Sequence, residues 1–435
     1  AIRRQRQMCI RDRNKPIVIV GAGIVGVSTA LWLQKNGEEV ILIDSSQPGT
    51  GASFGNAGLL AQWAMVPVNV PDLWKSAPKY LLSKSSPIFM RWSYFPKLLP
   101  WLVKFMANAT ESRSRKIIEN LTPLVQDSVD QHKNLVRGTQ AEKWLRDSKF
   151  SYVYKTHDAF KADAYGWAIK SNLGFIPNLI LDNDVRDEEP ILSPEIKCMA
   201  VLEGQGHITN PLGYVSELFG VFEKNGGKFV NKAVKNLNLA DGKIRSVQLD
   251  DEEILCQKAI ITSGIWSKNL IQNLNIKVPL ETERGYHIIY EKPSIEPRNP
   301  MMVTEGKFAV TPMTTGLRCA GTVELGGLNA PASKKPIDFI KKVSQKTFPE
   351  LKFENISEWM GFRPTLPDSL PMIGEVDNTG IFTGFGHQHI GMTSGPKTGF
   401  ILSQLVTNRK PNLDIRGYSP DPVSYTHLTL PTNSG

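Results

Sequence analysis

Gly21-Ala22-Gly23-Ile24-Val25-Gly26 is the tightest chemical pattern in this 435-residue sequence, a GxGxxG in which each glycine has a physical task. Gly21 permits a tight turn, Gly23 lets backbone approach a pyrophosphate, and Gly26 lets a helix pack close to a strand. Ile24 and Val25 open that helix, whose free N–H groups and positive dipole end suit an anion. Asp44, 18 residues beyond Gly26, can accept hydrogen bonds from a ribose diol, with Ser45 beside it. A carboxylate there argues against a 2′-phosphate; NAD and FAD both stay open.

Three further stretches could touch a ligand. Ser53-Phe54-Gly55-Asn56-Ala57-Gly58 is small enough to pass along a flat ring, and also fits a plain flexible loop. Gly384-Phe385-Gly386-His387, followed by Gly391, Met392 and Thr393, sets another helix start behind a strand, a place for partial negative charge. Gly361-Phe362-Arg363-Pro364 holds an arginine whose planar fork can grip a carboxylate with two parallel hydrogen bonds. Taken alone, such an arginine more often makes a structural salt bridge. No Ser-His-Asp arrangement, carboxylate pair or metal-ligand spacing is evident, so no metal is assigned.

The elements around these residues must place them together. Pro16 to Val20 and Val40 to Ile43 are short apolar β-branched runs, read as buried parallel strands around a helix that stops at Gly37. Residues 228–264 read as a β-meander with a hairpin at Asp241-Gly242; its last strand closes on Thr262-Ser263-Gly264, which suits the ligand-binding carboxyl edge of a parallel sheet. Residues 284–324 look antiparallel, with Tyr286 to Tyr290, Lys307 to Val310 and Leu317 to Ala320 as strands. The fold class is therefore α/β, a Rossmann-like nucleotide domain joined to an α+β domain on an antiparallel sheet.

Apolar residues are 41% and charged residues 21%, ordinary for a globular chain. No apolar run approaches the ~18–20 residues that span a bilayer. Cys9, Cys198, Cys256 and Cys319 lack CxxC and metal-ligand spacing, which argues against a disulfide scaffold and a structural zinc site. Residues 1–13 and 423–435 have no apolar periodicity, resemble translated sequencing-adapter read-through and are set aside. The first of these carries five arginines and one aspartate, so about half of the formal +9 charge leaves with it; nucleic-acid binding is not expected. No secretory signal fits ahead of the first strand, and a cytoplasmic location is the default.

These pieces in this order resemble the FAD-dependent D-amino-acid oxidase family, most closely the small subunit of bacterial D-amino-acid dehydrogenase, over roughly residues 15–420. The resemblance rests on the GxGxxG opening, the Ser53–Gly58 stretch, the Gly361–Pro364 block and the loop of His387. It implies FAD rather than NAD. Gly21, Gly23, Ile24, Val25 and Gly26 would hold the pyrophosphate, and Asp44 and Ser45 the adenosine end. Val234 would offer its backbone to the adenine. Ser53, Asn56, Ala57, Gly58 and Gly264 would lie along the cofactor. Gly386, His387, Gly391, Met392 and Thr393 would pass the N1–C2=O edge of its ring. Residues 14–72, 200–279 and 359–422 would form the FAD-binding domain, and 73–199 and 280–358 the substrate domain.

Arg363 matches the family's carboxylate-binding arginine. Tyr286 and Lys307 are expected on the pocket wall; the family's tyrosine-lysine pair stands as Gly306-Lys307 here, so the match is partial. The reaction implied is oxidative deamination of a D-amino acid, or of a cyclic imino acid of the D-proline type. Hydride leaves Cα for flavin N5, and the imine hydrolyses to a 2-oxo acid. The substrate amine must first lose a proton, so activity should rise toward alkaline pH. Electrons would pass to a quinone or another electron-transfer acceptor. The alternatives are a glycine- or sarcosine-type oxidase using oxygen, or a flavin-binding subunit of a heteromeric dehydrogenase.

From Leu73 to Asn108 there is no acid, but Lys75, Lys79, Lys84, Arg91, Lys97 and Lys104 are interleaved with eight aromatic residues. Leu98, Trp101, Leu102 and Phe105 fall on one helical face with Lys97 and Lys104 at its edge. That face either packs over the substrate domain, the favoured reading, or rests peripherally on the inner face of the cell membrane.

Overall fold

The computed structural model describes residues 15–75, 77, 86–274 and 276–420. Cys9, Lys79, Tyr80 and Lys84, with the two read-through-like ends, lie outside the described residues. The apolar runs Ile17–Val20, Val40–Ile43 and Lys258–Ile261 pair side by side in parallel, with the first in the middle. Ile381–Phe385 and Lys228–Val230 extend them in parallel, and Met372–Glu375 closes one edge antiparallel, making six strands. The sheet is covered on both faces, as all-apolar strands require. Ile17, Ile19 and Leu42 pack toward the helices Ile24–Lys35 and Gly391–Val406. Val18, Val20 and Ile261 pack toward a three-stranded meander, Asn236–Ala240, Lys243–Gln248 and Glu253–Leu255.

The hairpin at Asp241-Gly242 has both residues at positive φ, 52° and 74°, as a two-residue primed turn demands. Lys228–Val230, expected to begin the meander, is instead the edge of the parallel sheet, in register with Ile41, Leu42 and Ile43. It follows helix Pro211–Lys224, so helix and strand together supply a crossover onto that edge.

The second sheet has ten strands. Its main path runs Asn355–Thr365, Glu281–Glu291, Gly316–Leu325, Phe308–Met313, Met301–Val303, Leu145–Tyr154, Cys198–Ile208 and Leu59–Leu60; Ile88–Met90 and Asn178–Leu181 pair beside it. One face buries Tyr286, Ile288, Tyr290, Val310 and Cys319 against Ile337, Ile340 and Val343 of helix Lys334–Thr347. The expected segment boundaries at 199/200 and 358/359 fall inside the strands Cys198–Ile208 and Asn355–Thr365. Each pairs continuously through that point with an antiparallel neighbour, so the sheet has no break there.

In the basic aromatic stretch, helix Phe95–Ala107 turns Leu98, Trp101 and Phe105 inward against Leu325, with the Trp101 and Phe105 rings stacked at 4.8 Å. The face offered by the sequence for a membrane is thus internal. Trp92, Leu99 and Val103 stay exposed beside Lys97 and Lys104. Among the described residues no helix is long and apolar enough to cross a membrane.

Candidate active site

The carboxyl edge of the six-stranded sheet and one face of the ten-stranded sheet line a shared cavity of about 1360 Å³. That exceeds the ~300–1,000 Å³ of a drug-sized pocket and suits a dinucleotide with a substrate. Gly21, Gly23, Ile24, Val25, Asp44 and Ser45 line one end. The close approach there is real: a Cβ on Gly26 would stand 1.9 Å from the Gly21 carbonyl oxygen. Gly26 therefore stays behind the lining and shapes the turn. Asp44 accepts from Ala22 N at 2.7 Å and Ser46 N at 2.9 Å, which locks the turn and leaves each carboxylate oxygen a further lone pair. Ser53 Oγ accepts from Ile24 N at 3.0 Å at the helix start. Val234 and Gly264 line the same end.

Asn56 and Ala57 lie along the middle of the cavity, with His387, Gly391, Met392 and Thr393 also in its lining. Gly58 and Gly386 stand behind the lining at positive φ, 74° and 88°. The 53–58 loop is held carbonyl by carbonyl. Arg318 donates to Phe54 O at 2.8 Å and Asn56 O at 2.7 Å, Thr311 donates to Ala57 O at 2.8 Å, and His287 Nδ1 lies 3.2 Å from Gly55 O. Burial holds the His287 pKa down at about 3, so the ring is neutral and its Nδ1–H faces that carbonyl. Trp359 stacks on His287 at 5.1 Å, and a Cβ on Gly55 would fall 1.7 Å from the Trp359 ring. His387 is neutral by burial, at about 3, with Nε2 3.0 Å from Thr398 Oγ1.

Arg363 projects into the cavity from strand Asn355–Thr365. Its Nη1 donates to Thr322 O at 2.9 Å and its Nη2 to Gly321 O at 3.4 Å. Glu283, opposite it in register and 7% exposed, accepts from Gln388 Nε2 at 3.1 Å. Burial raises the Glu283 pKa, and Arg363 pulls it back down; burial lowers that of Arg363, and Glu283 raises it. The guanidinium lies over the bare backbone of Gly285, where a Cβ would stand 2.5 Å from Cζ.

Lys307 lines the cavity and is exposed there, at φ 50°. Tyr286, expected on the pocket wall, does not reach it. Its side chain points to the opposite face of the sheet, is 2% exposed, and bonds Glu324 Oε2 and the Ser333 backbone N–H. Side chains alternate across a strand, and this register sends Gly285, not Tyr286, toward the cavity. Sequence reading also missed Glu283, Trp359, Lys170 and Tyr152 in the lining. An acid two residues from a glycine in Glu283-Arg284-Gly285 was the one available signal. Cys198, Cys256 and Cys319 are buried and free. Among the described residues no three His, Cys, Asp or Glu side chains are grouped to hold a metal.

Residues 16–405 match the DAO family, described as FAD dependent oxidoreductase. The chain is 33% identical over 415 residues to the D-amino-acid oxidase of Bradyrhizobium diazoefficiens, covering 94% of this chain and 98% of that one. It is 25% identical to a D-amino acid dehydrogenase of Vibrio vulnificus, over 90% of this chain and 96% of the relative. In fold it is similar to glycine oxidase from Bacillus cereus, with TM-score 0.70, 18% identity and 92% and 99% of the two chains covered. L-proline dehydrogenase from P. horikoshii gives TM-score 0.69 at 17% identity, over 95% and 99%. The cradle suits FAD on its own terms, since the turn at Gly21 and Gly26 has no room for side chains and a helix start faces the cavity. A family that spans nearly all of the described residues, on a cradle of that shape, settles the membership: this chain belongs to the DAO family of FAD-dependent oxidoreductases.

Proposed function

We propose that the protein oxidises the Cα–N bond of a D-amino acid. The observation that carries the reading is Arg363: a half-buried fork aimed into the cavity that holds the cofactor cradle, set over a glycine and balanced by Glu283. The fork grips the substrate carboxylate, fixing the rest of the molecule so that its Cα–H faces the 53–58 loop side. The carbonyls of Gly321 and Thr322 hold the fork in place, with the Glu283 carboxylate as its electrostatic partner. Bound FAD supplies the two-electron acceptance that takes the Cα hydride. No side chain is needed to remove that hydrogen, and the product imine hydrolyses in water. The names of the two relatives support a D-configured substrate. Anaerobic bleaching of the blue absorbance band across D-amino acids, D-prolines, glycine and sarcosine tests this. A protein bleached by glycine or sarcosine and by no D-amino acid would overturn the D-amino-acid reading.

We infer a quinone or other electron-transfer acceptor rather than oxygen. The exposed Trp92, Leu99 and Val103 beside Lys97 and Lys104 support it, as a surface suited to an anionic bilayer. The second reading, an oxidase, is favoured by the name of the 33% identical relative. Oxygen consumption at the rate of substrate turnover would select the oxidase. Flotation with anionic liposomes tests the surface: protein that stays wholly unbound at low salt removes that support.

A further inference from the structure

Lys170 is a buried cation that neither the cradle nor the arginine fork uses. It lies in helix Ala164–Asn172 and is only 8% exposed, yet it lines the cavity. Its ammonium donates to Tyr152 Oη at 3.1 Å. It stands over the rings of Tyr152, Trp167 and Trp63, at 4.2, 4.3 and 5.3 Å. Among the described residues no carboxylate oxygen lies within the 4.0 Å of an ion pair with it. Asp163 is the acid in its neighbourhood, and Asp163 Oδ2 is engaged by Tyr154 Oη at 3.0 Å. An ammonium carries three donors, and rings offset only part of the cost of burying it. Asp163 also lines the cavity and attracts the ammonium from beyond ion-pair distance, which offsets part of the cost of burying it; an anion arriving in the cavity offsets more. Burial brings its pKa down to about 8; Asp163 raises it and Lys307 lowers it further.

Lys307 ties this corner to the fork. Phe308 pairs with Gly321, so Lys307 falls beside Thr322, whose carbonyl accepts from Arg363. Neighbouring strands lie about 4.8 Å apart, so Lys307 is rooted beside the carbonyl where the Arg363 fork ends, although Arg363 itself is rooted two strands further along the sheet. Beyond them Ala309 pairs with Met302 and Met302 with Tyr152, all three in the cavity lining, ending at the ring that carries Lys170. Arg363, Lys307 and Lys170 thus follow one wall in that order. A substrate with a single carboxylate uses the first and leaves the other two unanswered.

We propose that the preferred substrate carries a second carboxylate on its side chain, of the D-aspartate or D-glutamate type. Lys170 and Lys307 hold that group while Arg363 holds the α-carboxylate. The inference rests on the D-amino-acid reading and narrows it.

The test compares kcat/KM for D-glutamate with D-glutamine, and D-aspartate with D-asparagine, in the flavin-loaded enzyme, in Lys170→Met and in Lys307→Met. The acids should exceed their amides by roughly ten- to hundredfold, the worth of a charge-assisted hydrogen bond. Each variant should pull that ratio toward one, which a merely structural loss would not do, since it lowers acid and amide together. Lys307 is exposed, so its variant reports even where Lys170→Met fails to fold. Amides or alanine preferred over the acids in the parent enzyme, or an unmoved ratio in Lys307→Met and in a folded Lys170→Met, overturns the proposal. Flavin bleached by D-alanine and D-glutamine but not by D-glutamate sinks this inference alone. Flavin bleached by no D-amino acid sinks the broader reading as well.

Discussion

Gly285→Ala puts a single methyl group under the arginine fork. That Cβ would lie 2.5 Å from Cζ and Nη2 of Arg363 and 2.8 Å from Nε, where ordinary contact begins at 3.4 Å. The fork must therefore lift by about 0.9 Å. The neighbour is the far end of a flexible side chain, and Gly285 is not at positive φ, so the strand itself accepts alanine. Melting temperature and flavin content should stay near parental. Catalysis should not, because a shift of ~1 Å in a substrate-positioning group costs up to about a hundredfold. The expected loss in kcat/KM is roughly ten- to a hundredfold, ~1.4–2.7 kcal/mol of transition-state stabilisation. Anaerobic stopped-flow reduction, with substrate varied, reads the binding and reduction steps separately. In an Arg363→Ala background the same methyl should add little, since the two changes act on one group. Unaltered kinetics in Gly285→Ala, or an equal loss with Arg363 already removed, refutes the reasoning.

Arg363→Ala should retain flavin and lose roughly 3–5 kcal/mol of substrate affinity, the effect of leaving a charged pair incomplete, read as substrate Kd in the same assay. Gly55→Ala drives a methyl within 1.7 Å of the Trp359 ring and should lower the flavin-to-protein ratio of the purified enzyme; adding Trp359→Ala should restore part of it. His132 and His207 have folded pKa values of about 4, depressed first by burial, below the ordinary 6.5. Their contribution to stability is complete above about pH 6.5 and is lost as pH falls toward 4, because the unfolded chain takes up protons first. Thermal melts of the holoenzyme should therefore drop across that window, and His132→Gln should flatten the slope; an unchanged slope counts against it.

The first forty residues were legible because glycine spacing, β-branched runs and an acid all answer to one local geometry. Asp241-Gly242 was legible for the same reason. Tyr286 was not. Ten of the eleven residues in Glu281–Glu291 are buried, so the strand shows no alternation from which to read its cavity face. Glu283 and Lys170 were invisible because their meaning comes from partners across the sheet, Arg363 on one strand and the Tyr152 ring on another. The Leu98, Trp101 and Phe105 face was legible as a face, but periodicity cannot say whether protein or lipid covers it.

Arg318, His287 and Thr311 belong to the sheet that carries the fork, yet they grip the loop beside the cofactor cradle. Donor and acceptor are thereby measured from a common datum. Any flexing between the two layers carries both along, and their separation stays set by four carbonyl anchors. Changes made deep in the substrate layer should for that reason register as colour shifts of the bound cofactor before any substrate is added.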